Sequence, residues 1–187
     1  MRSIAELGYR LKKTVALVGM MGCGKTAVGT AMARILGVPF LDSDAEIERA
    51  ANMTVAEIFA RDGEAFFRRK ETQVLGRLLD TERGVLSTGG GAFMSEENRR
   101  LIAEKGIAVW LRADLDLLWS RVRHRSTRPL LKTSDPRATL EALATKREPY
   151  YALADLVVDA EPGLAVEDMA RRVVARLETR PDVLERT

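Results

Sequence analysis

The sequence predicts an α/β fold, with a parallel β-sheet covered by helices on both faces. Two observations carry that prediction. Short β-branched apolar runs alternate with segments of helical periodicity, the pattern of βα units whose strands are buried on both sides. A glycine-rich turn also stands between the first run and the first helical segment, at the strand end where open α/β sheets bind ligands.

The apolar runs are Thr14–Val18, Val38–Leu41, Val85–Thr88, Ile107–Leu111 and Leu156–Val158. After the first comes the stripe Val28, Met32, Ile35, Leu36. A long helical stretch separates the second run from the third, with Val55, Ile58 and Phe59 in one stripe and Phe67, Val74 and Leu78 in another. Asp114 precedes the stripe Leu115, Leu118, Val122, and Asp135-Pro136 supplies an N-cap with proline in the first turn. Between these two helix starts, Arg123–Ser134 carries charge of one sign only, together with Pro129, and reads as a mobile loop. The termini, Met1–Lys13 and Glu178–Thr187, read as peripheral segments prone to disorder.

With 187 residues and neither an internal repeat nor a low-complexity linker, one domain is expected. A net charge of +3, spread along the chain, favours small anionic ligands at least as much as nucleic acid. Cys23 and His124 are single residues of their kinds, which excludes an internal disulfide, a Cys/His zinc cluster and His–His mechanisms. No apolar run approaches the roughly 18 residues of a membrane span, and Met1–Lys13 lacks a signal-peptide core. A cytoplasmic protein without a membrane partner is the expectation.

Gly19-Met20-Met21-Gly22-Cys23-Gly24-Lys25-Thr26 fits G-x-x-x-x-G-K-[ST] between a strand and a helix. Glycines let successive N–H groups curl around a phosphate, and the helix start adds partial positive charge. Lys25 is placed to reach the β- and γ-phosphates and the Thr26 hydroxyl to ligate Mg²⁺. The loop therefore binds a nucleoside triphosphate with Mg²⁺.

Asp42-Ser43-Asp44 follows the second strand. One carboxylate can hold Mg²⁺ through water while the other accepts a proton from a substrate hydroxyl; alternatively, one of them caps a helix over Ala45–Ala51. Arg68 offers a planar fork for a carboxylate, with Glu71 three residues on to hold it, though Arg68–Lys70 also fits a solvated helix face. Gly89-Gly90-Gly91 after the third strand suits a close approach of ligand to main chain.

The ordered set GMMGCGKT, DSD, FRRKE, VLSTGGGAF, TRPLL and KREPYY resembles the shikimate kinase family, over roughly Thr14 to Leu177. The resemblance implies a fold like that of nucleoside monophosphate kinases: three layers, α/β/α, with a five-stranded parallel sheet in order 2-3-1-4-5 and a mobile lid, here about 123–134. It implies ATP-dependent phosphorylation of the 3-hydroxyl of shikimate, on the route to chorismate and the aromatic amino acids. By position, Asp44 is similar to the residue that binds the shikimate hydroxyls and acts as base, and Asp42 to the one that holds Mg²⁺ through water. Arg68 and Arg147 resemble the pair that grips the substrate carboxylate, and Gly89, Gly90 and Gly91 the glycines that face it. Arg128 resembles the lid arginine that closes over the transferring phosphate, and Arg121 the arginine against adenine. Gly22, Cys23, Gly24, Lys25, Thr26 and Ala27 form the implied nucleotide contacts. Cys23 departs from the small alanine or serine common there, and the region after Val158 aligns poorly. A monomer is expected. The rivals are a gluconate or nucleotide kinase of the same fold class, or a nucleic-acid-binding module. The basic stripe interleaved with aromatics that such a module needs is absent.

Overall fold

In the computed structural model, which describes residues 8–81, 83–125 and 131–187, each of the five apolar runs forms a strand. They are β2 (Thr14–Val18), β3 (Phe40–Asp42), β4 (Val85–Ser87), β5 (Gly106–Arg112) and β6 (Leu156–Asp159). All pair in parallel, in the order β3-β4-β2-β5-β6. Counted from β2, that is the expected 2-3-1-4-5. The second strand begins two residues later than its apolar run. Pro39 has no N–H to give to the ladder, and its carbonyl instead accepts Val85 N at 3.0 Å.

Every residue of β2 and β4 is buried. Side chains alternate between faces along a strand, so both faces of the sheet centre are covered. The cover comes from helices α1 (Lys25–Leu36), α2 (Ser43–Ala51), α3 (Val55–Thr81), α4 (Glu96–Lys105), α5 (Leu115–Val122), α6 (Pro136–Tyr151) and α7 (Val166–Leu177). Helix α1 packs on α7, and α3 packs on α2 and α4. The two apolar stripes of the long helical stretch fall on either side of Gly63, whose φ of 83° and ψ of 169° interrupt α3. Asp114 and Asp135 cap α5 and α6 as their spacing predicts, accepting Leu117 N at 2.8 Å and Ala138 N at 3.1 Å.

Residues 8–13 and 178–187 are more than tails. Strand β1 (Tyr9–Leu11) pairs antiparallel with β7 (Leu184–Arg186), joining the two ends of the chain. Leu11, Val183 and Leu184 are buried, and Tyr9 Oη donates to Glu178 Oε1 at 2.9 Å. The expectation of peripheral, disorder-prone segments therefore does not hold for these residues. Three-residue strands lack the length for a periodic signal, and their apolar burial arises only once the ends meet. Residues 1–7, and the middle of the expected lid (126–130, with Arg128), lie outside the described residues.

Candidate active site

The phosphate loop leaves β2 at Gly19, where φ is 144° and an added Cβ would stand 2.9 Å from the Leu111 carbonyl of β5. Only glycine fits there. Gly24, at φ 102°, opens α1 with no side-chain cap. The first-turn N–H groups of Lys25, Thr26 and Ala27 thus have no intrahelical acceptor and present a ready anion site. Lys25 Nζ donates to Gly19 O at 2.6 Å and Met20 O at 3.1 Å, and lies 3.7 Å from the sulfur of buried Cys23. Arg121, on α5, reaches over the loop and donates to Gly22 O at 3.0 Å.

The loop borders a cavity of about 720 Å³, within the range of small-molecule sites. The same cavity takes in Asp42 and Asp44, the Ser87–Gly90 end of β4, Arg121 and Arg125, and the segment after β6 with Ala160, Glu161, Leu164, Val166 and Met169.

Asp42 caps α2, its Oδ1 accepting Ala45 N at 3.0 Å, so the capping alternative holds for this carboxylate. Capping does not exhaust it, because a carboxylate has about four acceptor positions and Asp42 also lines the cavity. Asp44 differs. Its Oδ1 is buried with no hydrogen-bond partner among the described residues. Burial pushes its carboxyl above the ordinary value of 3.8 and neighbouring Asp42 adds to the rise, while Lys25 and Arg68 pull the other way. A buried acceptor without a donor is costly, and here it borders a ligand-sized space.

The two arginines come together at the glycine turn. Arg68, on α3, donates from Nη1 to Glu71 Oε1 at 2.9 Å, and Glu71 is completely buried. Burial raises the Glu71 carboxyl, partly offset by Arg68. The solvated-face alternative for Arg68 is set aside by this contact. An added Cβ on Gly91 would collide with the Arg68 guanidinium, with Cζ at 2.8 Å. One on Gly90 would stand 2.9 Å from Nη1 of Arg147, and one on Gly89 would stand 2.8 Å from Asp44 Oδ1. Each glycine of the triplet thus leaves room for a different functional side chain. Arg147, on α6, is only 9% exposed.

Thr26 and Asp42 both border the cavity beside the phosphate loop. Hard oxygen donors, few in number, suit Mg²⁺, which takes one or two protein ligands and completes its shell with phosphates and water.

Three features were missed in the sequence. Arg125 and the 160–169 segment border the cavity, and the latter is composed of ordinary surface and core residue types. Tyr151 is buried with its hydroxyl donating to Gly90 O at 2.5 Å. Its spacing of four from Arg147, which puts both on one helix face, is the signal that could have found it.

A family model for shikimate kinase matches residues 21–178. The shikimate kinase of Cereibacter sphaeroides is 69% identical over 176 residues, spanning 94% of this chain and 88% of the relative. Among solved structures, shikimate kinase from Acinetobacter baumannii in complex with shikimate superposes with a TM-score of 0.85 at 38% identity, covering 90% of this chain and 94% of the other. A gluconokinase from Sinorhizobium meliloti shares the fold at 19% identity and a TM-score of 0.62, over 91% of this chain and 94% of its own.

Proposed function

The chain belongs to the shikimate kinase family and carries its ATP-dependent kinase activity; we propose that the cavity is where it transfers the γ-phosphate of ATP to the 3-hydroxyl of shikimate, releasing ADP. The observation that carries this reading is the Asp44 carboxylate. Its Oδ1 is buried beside Gly89 without a donor among the described residues, in the same cavity as the phosphate loop. A substrate hydroxyl supplies the missing donor, and that hydroxyl is then the nucleophile.

Phosphoryl transfer passes through a loose transition state, so positioning and charge neutralisation supply most of the rate. Gly22 to Ala27 hold the triphosphate with backbone N–H groups. Lys25 exchanges its loop carbonyls for phosphate oxygens and neutralises charge as it builds on them. Thr26, and Asp42 through water, would hold Mg²⁺, which when bound would supply further positive charge to the phosphates. Arg121, beside the phosphate loop, packs against the nucleotide. Arg128, assigned on its motif alone, closes over the transferring group. At the other end, Arg68 and Arg147 grip the substrate carboxylate while Gly89, Gly90 and Gly91 let the sugar-like ring approach the main chain. Asp44 accepts the proton of the attacking hydroxyl.

We assign the chain to a single kinase unit acting as a monomer in the cytoplasm, with its two substrates as its only partners. No helix among the described residues is long and apolar enough to cross a membrane. The test is ADP release from ATP and Mg²⁺ with shikimate, gluconate or AMP as acceptor. Stimulation by shikimate alone is expected; stimulation by gluconate or AMP but not by shikimate overturns the assignment.

A further inference from the structure

The glycine turn that faces the acceptor is held by more than its own backbone. Asn98 and Arg99, on α4, donate to the carbonyls of Ala92 and Phe93 at 2.9 and 2.7 Å. The third clamp is Tyr151, whose hydroxyl donates to Gly90 O at 2.5 Å. It alone comes from α6, the helix that carries Arg147 one turn earlier. The Arg147 guanidinium in turn lies against Gly90.

The geometry points to Tyr151 as a positioning residue of the acceptor grip, one that fixes the distance between the Gly90 main chain and the Arg147 guanidinium. This inference rests on the assignment of Arg147 to the substrate carboxylate. Tyr151 is completely buried, its ring tilted against Trp110 at 5.8 Å between centroids. A ring so packed has little freedom, which makes its hydroxyl a precise stop. The hydroxyl also lies 3.9 Å from the sulfur of Met20, so the same side chain touches the phosphate loop and the acceptor wall. Burial raises the phenol well above its ordinary value, against a lowering by Arg147. It therefore remains a neutral donor throughout the working pH range. Without it, Gly90 O loses a buried partner and the turn can relax toward Arg147, where a shift of 1 Å is enough to spoil a bidentate grip.

Tyr151→Phe removes one hydroxyl and keeps the ring on Trp110. The shikimate KM should rise about tenfold, the cost of one unsatisfied buried carbonyl. The kcat and the ATP KM should stay within about twofold, as expected when only ground-state acceptor binding is lost. In an Arg147→Ala background, the added substitution should change the shikimate KM little, since the grip it serves is gone. An unchanged shikimate KM in Tyr151→Phe, a parallel drift of kcat and both KM values, or additive effects in the double variant each overturn the inference. If Arg147→Ala alone leaves the shikimate KM unchanged, the carboxylate assignment falls, and the inference with it. If Arg147→Ala raises that KM and Tyr151→Phe does not, only the inference falls. A readout independent of any variant's folding is fluorine NMR of the 3-fluorotyrosine-labelled parent. The Tyr151 resonance should shift on adding shikimate, and no shift with shikimate counts against the role.

Discussion

The two ends of the cavity are built by different means. At the proposed donor end the triphosphate contacts are assigned to one continuous loop, with positive φ at Gly19, Gly22 and Gly24 making its curl possible. At the acceptor end the same work falls to side chains from separate elements. Asp44 comes from α2, Arg68 and Glu71 from α3, Arg147 and Tyr151 from α6, all converging on a glycine turn after β4. Triphosphate is recognised alike in many proteins, so a local motif suffices for it. A small hydroxylated acid has to be recognised by shape, and shape requires several directions at once. The donor end is a motif; the acceptor end is an assembly.

That contrast can be tested from its sharpest point outward. Asp44→Asn should have the largest effect, lowering kcat by about 10²–10⁴-fold, the usual range for a general base. Its stability should move the other way. The folded-state pKa is raised, so the folded chain holds this proton more tightly than the unfolded one. Its contribution to stability therefore falls as pH rises from about 3.8 through the raised value. The Asn variant should melt at or above the parent's temperature at pH 7, and activity of the parent should decline on acidification at a higher pH than an ordinary carboxylate would give. An active Asp44→Asn enzyme would remove the acceptor end's central residue.

Next in size is Lys25→Ala, at about 10²–10³-fold in kcat, comparable with losing one oriented donor to transition-state charge. Equal loss with shikimate and in the slow transfer to water would place the defect at the donor end. Gly91→Ala should act on the other end alone. Its Cβ meets the Arg68 guanidinium, the far end of a flexible side chain, so the arginine gives way and stability is kept within about 1 kcal/mol. The shikimate KM should rise with ATP KM unchanged, and a drop in melting temperature of many degrees instead would make the turn a packing feature. The smallest effect concerns Cys23, 1% exposed and beside Lys25. Bound Mg-ATP should slow its alkylation by iodoacetamide; equal rates with and without nucleotide would count against its placement in the occupied loop.

Legibility follows the same division. The phosphate loop, the strands and the caps of α5 and α6 could be read directly, since each depends on residues within a few positions of one another. Arg68 with Glu71 was half legible. Their spacing of three allowed the ion pair, but nothing local said that Glu71 is completely buried. Asp42 and Asp44 remained ambiguous between capping and chemistry until α2 showed one carboxylate doing the capping and the other with a buried oxygen that has no partner among the described residues. The ribbon of β1 and β7 was misread, because 169 residues separate the Tyr9 hydroxyl from its partner Glu178.

The sequence by itself determined the order of βα units, the triphosphate loop and, through the ordered motifs, the family. All of these rest on short-range rules: periodicity, caps and the conformational freedom of glycine. Only the tertiary structure decided that Gly89, Gly90 and Gly91 each face a different side chain, that residues between Ala160 and Met169 border the cavity, and that the Tyr151 hydroxyl donates to Gly90 O. Those relations are set by how strands and helices stack across the sheet, and close packing fixes them at distances that no local pattern encodes.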